Sequence, residues 1–209
     1  MTENIPDQYC VFGNPIEHSR SPEIHHMFAN KSQQIINYQK VLVPVEGFSK
    51  AIKDFISTNG RGANVTVPFK EQAMSLADQL SPRAASAGAV NTLTFKDGII
   101  YGDNTDGEGL VIDLLANNVT LKQRNILLLG AGGAARGVLL PLLSQQPKSI
   151  VIANRTLSKA DKICYQFADQ RLTASSYSDV ANKHYDLIIN ATSASLSGDI
   201  PPIPSDIIN

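Results

Sequence analysis

A glycine turn between an apolar strand and a helix is the part of this 209-residue chain most directly suited to chemistry. Asn125 to Leu129 reads as a buried strand, Gly130-Ala131-Gly132-Gly133-Ala134-Ala135 as the turn, and the run to Leu143 as the helix. This is G-x-G-x-x-A in the context a dinucleotide site requires. The first glycine permits the tight turn, the second lets the backbone approach a diphosphate, and the small Ala135 permits close packing of helix on strand. Free N–H groups and the dipole at the helix start favour the anion. A ligand-free turn would not by itself demand small residues in all three slots. The next strand ends in Ala153-Asn154-Arg155-Thr156, with Lys159 one turn further on. An NAD site wants an acidic residue there for the ribose 2′-hydroxyl. Here Arg155 can fork a 2′-phosphate and Lys159 can add a point charge, so NADP is the cofactor expected. The alternative is a solvated Arg155. Thr156 is expected to cap the following helix in either case.

The first half of the chain carries a second set of chemically suggestive residues. Lys70 follows Asn64-Val65-Thr66-Val67-Pro68-Phe69 and so falls in a first helical turn, where the dipole disfavours a cation. A carboxylate or an anionic substrate would offset that cost. In Ser19-Arg20-Ser21-Pro22, Ser21 reads as an N-cap with Pro22 at the first helical position, which leaves Ser19 unexplained. Gly102-Asp103-Asn104-Thr105-Asp106-Gly107 precedes another helix, and its plainest reading is an Asp106 N-cap. Aligned as a calcium loop it has glycine at the first ligand position and no preceding helix, so calcium is rejected. His18, His25 and His26 lack partner cysteines and ligand spacing. They are expected in exposed polar roles, and no metal is expected.

The elements that must position these residues alternate. Strands are expected at 9–13, 38–43, 63–67, 125–129, 149–153, 186–190 and, briefly, 171–174. Helices are expected at 21–33, 48–57, 71–80, 107–117, from the glycine turn to 143, and at 157–168. Residues 91–95 and 99–101 should form a hairpin turned at Lys96-Asp97-Gly98. Such alternation implies an α/β fold with mostly parallel sheets. The near-continuous apolar strands of the second half suit a sheet covered on both faces. Two domains are expected: an N-terminal α/β domain over 1–105, a connecting helix and joint over 106–120, and a Rossmann-type doubly wound domain over 121–209.

Composition sets the outer bounds. The 18 Lys+Arg nearly balance 19 Asp+Glu, and 43% of the chain is hydrophobic. A net charge of −1 argues against nucleic-acid or membrane-surface binding by bulk electrostatics, and against global disorder. The polar opening residues lack a signal-peptide pattern. The most apolar stretch, Ile126 to Leu143, is interrupted by four glycines, Arg136 and Pro141, and is too short and broken to span a bilayer. Cys10 and Cys164 are expected as two buried free thiols in a reducing cytoplasm.

Taken in order, these motifs resemble the shikimate dehydrogenase family. The resemblance is carried by Ser19-Arg20-Ser21-Pro22, Asn64 to Lys70, Gly88-Ala89-Val90-Asn91-Thr92, Gly102 to Gly107, Gly130 to Ala134, Asn154-Arg155-Thr156 and Asn190-Ala191-Thr192-Ser193. It implies NADP-dependent interconversion of 3-dehydroshikimate and shikimate, in aromatic amino-acid biosynthesis. It further implies that Ser19, Ser21, Thr66, Lys70, Asn91 and Asp106 bind the substrate, and that Lys70 is the acid/base residue paired with Asp106. It places the diphosphate on Gly130, Ala131, Gly132, Gly133 and Ala134, and the adenosine ribose phosphate on Asn154, Arg155, Thr156 and Lys159. Oligomeric state is not legible; monomer or homodimer both stand.

Members of that family continue for several dozen residues past the point where this sequence stops, Asn209. The expectation is therefore a nucleotide sheet incomplete at its C-terminal end, and a 209-residue chain that alone turns over slowly or not at all. The rival readings are a quinate/shikimate dehydrogenase preferring NAD, a non-catalytic nucleotide-binding module, and a folate or amino-acid dehydrogenase of related build. Arg155 with Lys159 speaks against the first, and retention of Lys70 and Asp106 against the second. Ser19, Ser21 and Asn91 give no support to the third.

Overall fold

A computed structural model of the chain describes residues 5–181, 183–192, 194, 200–203 and 207. The elements in order are β1 (Asp7–Gly13), α1 (Ser21–Ser32), β2 (Ile36–Leu42), α2 (Phe48–Ser57), β3 (Gly60–Val65), α3 (Lys70–Leu76), β4 (Gln79–Leu80), α4 (Pro82–Ala87), β5 (Thr92–Lys96), β6 (Ile99–Asp103), α5 (Asp106–Ala116), β7 (Asn125–Leu129), α6 (Gly133–Ser144), β8 (Ser149–Ala153), α7 (Leu157–Phe167), β9 (Leu172–Ser175) and β10 (Leu187–Asn190). Contacts divide the chain into two compact units, Met1–Thr105 and Asp106–Asn209. The helix α5, set apart as a connector by the sequence reading, packs on α6 and so goes with the second unit.

The first unit is built on a six-stranded sheet in the order β2-β1-β3-β5-β6-β4. β1 runs parallel to β2 and β3, whereas β5 runs antiparallel to both β3 and β6. The sheet is thus mixed, where alternation alone pointed to a mostly parallel one. The hairpin is the reason: Asp97 and Gly98 both adopt positive φ (53° and 76°), and a two-residue turn of that kind joins antiparallel strands. One face is closed by aromatics. Phe48 stacks on Phe69 with centroids 4.7 Å apart, and Phe12 meets Phe48 and Phe55 edge-on. Burial of each such ring stabilises the unit by roughly 1.5–3 kcal/mol.

Several local expectations shift. The helix expected to run to Leu80 stops at Leu76, and 79–80 form β4 along β6. The short helix α4 was not anticipated, although its signals are present. Ser81 Oγ accepts from the Ala84 N–H, Pro82 opens the helix, and Gly88 closes it at φ 65°. Ser21 is the first helical residue rather than the N-cap, a place held by Arg20 without a side-chain cap. Asp106 is likewise the first residue of α5. Thr156 does sit at the N-cap of α7, but makes no side-chain cap bond. Cys10 is buried and Cys164 only half-buried.

In the second unit four strands lie wholly parallel in the order β10-β7-β8-β9. Both faces of β7 and β8 are covered. Ile126, Leu128, Ile150 and Ile152 pack with Ala135, Leu139 and Leu142 of α6 and Ile163 of α7, while Leu127, Leu129 and Ala153 pack on the other face with Val180. This two-sided burial is the physical reason those strands read as continuous apolar runs. Ser193, the last residue of the Asn190-to-Ser193 motif, lies outside the described residues.

The α5–α6 crossing depends on Gly107. A β-carbon there would overlap Gly137 O and come within 2.8 Å of Val138 Cα. Gly137 O is the carbonyl that Pro141, lacking an N–H, leaves without its helical donor. Gly107→Ala is expected to destabilise the second unit by about 1–3 kcal/mol, read as a lowered midpoint in denaturant unfolding.

Candidate active site and nucleotide cradle

The chemically suggestive residues of the first unit gather where its strands end. β1 and β3 end there at Gly13 and Val65, β5 begins there, and β6 ends there at Asp103. In open α/β sheets, ligands bind at the carboxyl ends of the strands. Main-chain bonds run one step past the ladders. Thr66 N donates to Phe12 O (2.9 Å), Asn14 N to Val67 O (3.0 Å) and Val65 N to Asn91 O (2.8 Å). Gly13 permits the convergence, since a β-carbon there would strike Thr66 Cγ2 and Ile16 Cδ1.

Lys70 is the first residue of α3, and its carbonyl accepts from Val90 N at 2.9 Å. That bond places Lys70 beside the segment carrying Asn91, so the structure brings Thr66, Lys70 and Asn91 together. Ser19 and Ser21 lie at the start of α1 with hydroxyls 3.2 Å apart, and Ser21 N donates to Ser19 Oγ at 3.3 Å. Ser19 thereby gains the structural role the sequence left open. Asp106 stands in the second unit at the start of α5, where the helix dipole suits a carboxylate.

Sequence reasoning missed the residues that hold these in place. Tyr38 is 5% exposed, donates its hydroxyl to Asn64 Oδ1 at 2.6 Å and also lies against Ser21. Burial pushes its phenol pKa up. Asn64 Nδ2 continues to Asn91 O at 3.3 Å. A polar residue inside an apolar strand was the available signal for Asn64; Tyr38, in another strand, offered none. His25 is half-buried, stacked on Tyr38 with centroids 4.3 Å apart, with Nδ1 2.8 Å from Ser21 O. It is therefore not the exposed polar group expected, whereas His18 and His26 are exposed. Among the described residues, no group of three or more His, Cys, Asp or Glu side chains could hold a metal ion.

Asp103 is held in a two-pronged ion pair. Arg83 clasps its carboxylate with two bonds of 2.8 and 2.6 Å, and Ser81 Oγ and Asn104 N also donate to it. The Arg83 bonds first, then the Ser81 and Asn104 bonds, outweigh desolvation and hold the carboxyl pKa at about 2.

In the second unit the turn after β7 has the shape of an anion cradle. Gly130 takes φ 105°, and a β-carbon on it would meet Ala191 O at 2.9 Å. Ala135 is fully buried, as its packing role requires. Gly132 differs: its backbone is extended and its missing β-carbon faces no described atom within 4 Å. The chain's own packing does not require glycine there, whereas close approach by a ligand would. The N-terminus of α6 also lacks a side-chain cap, so its N–H groups are open to an anion. At the end of β8, Asn154 Nδ2 donates to Thr156 O at 2.9 Å and shapes the turn. Arg155 and Lys159 are exposed, and neither has an ion-pair partner among the described residues. The residues present therefore fit a phosphorylated dinucleotide.

Comparison with known proteins identifies the family. Residues 11–93 match the family model for the shikimate dehydrogenase substrate binding domain, and residues 113–197 that for shikimate / quinate 5-dehydrogenase. A shikimate dehydrogenase (NADP(+)) from Colwellia psychrerythraea is 66% identical over 209 residues, covering 100% of this chain and 76% of that protein. The crystal structure of shikimate dehydrogenase from Aquifex aeolicus superposes with a TM-score of 0.87 at 34% identity, covering 98% of this chain and 76% of that one. Shikimate 5-dehydrogenase from Thermus thermophilus, solved in complex with NADP(H) and shikimate, gives a TM-score of 0.82 at 29% identity, covering 96% and 74%. No helix among the described residues is long and apolar enough to cross a membrane.

Because the folded pKa of Asp103 lies below the unfolded value of about 3.9, its ionisation adds stability above that value and loses it as pH falls toward about 2. Asp103→Asn is expected to flatten the acid limb of stability between about pH 4 and 2, read by thermal unfolding across that range.

Proposed function

The chain belongs to the shikimate dehydrogenase family, and from that premise we propose that it reduces 3-dehydroshikimate to shikimate with NADPH, reversibly, in aromatic amino-acid biosynthesis. The observation that carries the reading is the meeting of Thr66, Lys70 and Asn91 where the central strands β3 and β5 of the first sheet end and begin. It is joined by an uncapped glycine turn that leaves room for a diphosphate.

Ser19, Ser21, Thr66 and Asn91 supply hydroxyl and amide groups suited to the carboxylate and hydroxyls of the substrate. Gly130 to Ala134 would hold the cofactor's diphosphate, and Asn154, Arg155, Thr156 and Lys159 its adenosine ribose phosphate. When bound, that cofactor supplies the hydride. Lys70 donates a proton from Nζ to the substrate's carbonyl oxygen as it becomes a hydroxyl, and regains one from solvent. In the reverse direction neutral Lys70 accepts the hydroxyl proton. Asp106 is the second member of this acid–base pair and orients the substrate hydroxyl. The setting proposed is a reducing cytoplasm, and the assembly a monomer or homodimer.

Nicotinamide absorbance with shikimate or quinate, and NADP or NAD, tests the substrate and cofactor choice; NADP with shikimate is the expected pair. Lys70→Ala is expected to lower kcat by about 10²–10⁴-fold while NADP binding stays unchanged. Near-normal kcat would remove Lys70 from the mechanism. Gly132→Ala is expected to cost less than about 1 kcal/mol of stability yet weaken NADP binding measured by calorimetry. Unchanged affinity would separate the cradle from the cofactor.

A further inference from the structure

Asn91 is 7% exposed and its amide must be partnered. Oδ1 accepts from Thr105 N at 3.1 Å and from Thr92 Oγ1 at 2.8 Å, while Nδ2 donates to Thr105 Oγ1 at 3.2 Å. A main-chain N–H can only donate, so Thr105 dictates which end of the amide is oxygen. Asn91 N donates in turn to Asp103 O at 3.0 Å. Residues 103–105 therefore grip Asn91 by both its backbone and its side chain.

That turn is itself held by groups with no place in the proposed chemistry. The Asp103 carboxylate accepts from Asn104 N within the turn, and from Arg83 and Ser81 at the start of α4. Asn104, 2% exposed, donates through Nδ2 to Ala89 O at 3.0 Å. Arg83 sits in a first helical turn, where its charge is disfavoured, and Asp103 offsets it. A plain tie between α4 and β6 would not require the carboxylate to cap the 103–105 turn as well.

We infer that the Arg83–Asp103 pair, braced by Ser81, is a positioning device for Asn91: it locks the 103–105 turn and so holds the Asn91 amide in one orientation toward substrate. The inference rests on the reading of Asn91 as a substrate ligand. Arg83 and Asp103 act through Asn91 and are positioning residues.

The test is a double-mutant cycle on the full chain, with Asp103→Asn, Asn91→Ala and the pair combined. Shikimate and NADP affinities are measured by calorimetry, and exchange of the Thr105 amide by NMR. Asp103→Asn is expected to raise the shikimate Kd about five- to fiftyfold, leave the NADP Kd unchanged and speed Thr105 exchange. In the Asn91→Ala background the same change is expected to add less than about twofold. Arg83→Lys, which keeps the charge but loses the fork, is expected to reproduce part of the effect. If Asp103→Asn does not fold, Arg83→Lys and Ser81→Ala carry the cycle. Effects that multiply, or a lowered unfolding temperature with unchanged shikimate Kd, would overturn the inference. A wild-type chain that binds NADP but not shikimate would overturn the functional reading instead. Thr105 exchange in the variants would then decide whether the pair clamps the Asn91 turn.

Discussion

Main-chain hydrogen bonds that continue one residue past the strand ladders are the constraint on which both candidate sites depend. A strand that stops leaves N–H and C=O groups which must find partners unless water reaches them. In the first unit those partners are the flanks of the next chemical segment: Phe12 with Thr66, Val67 with Asn14, Val65 with Asn91, and Lys70 with Val90. In the second unit Gly130 bonds Ala153, Asn154 bonds Ser175, and Ala191 bonds Leu129. Side chains placed by such bonds inherit the rigidity of the sheet rather than the mobility of a loop, as a preorganised site requires.

The two units meet this constraint with different materials. In the first, side-chain amides and hydroxyls do much of the work: Tyr38, Asn64, Asn91 and Thr105 form a continuous chain of donors and acceptors across the sheet. Such networks specify one arrangement when every member is satisfied. They suit a site that must distinguish hydroxyls. In the second unit the backbone does the work. Gly132 and the uncapped start of α6 present N–H groups and open space, which suits a diphosphate. Charge enters at the rim, through exposed Arg155 and Lys159.

The aromatic core beneath the first site explains why its edge can be so polar. Phe12, Phe48, Phe55 and Phe69 close one face of the sheet, and Phe69 lies fully buried immediately before Lys70. The apolar anchor and the reactive residue are thus consecutive in the chain. Burial of the first sets the starting point of α3 and with it the position of the second.

What the sequence determined by itself was local. The alternation of apolar strands and helices, the glycine turn with Ala135 behind it, and the basic pair after β8 all depend on neighbours within a few residues. Periodicity and turn chemistry report such neighbours directly. The two-sided burial of β7 and β8 was legible for the same reason. The tertiary structure decided which distant groups meet. It paired β5 with β3, seated His25 on Tyr38, and gave Asp103 to an arginine twenty positions earlier in a helix too short for its periodicity to show. An ion pair or an amide network depends on through-space distance, and only the folded sheet sets that distance.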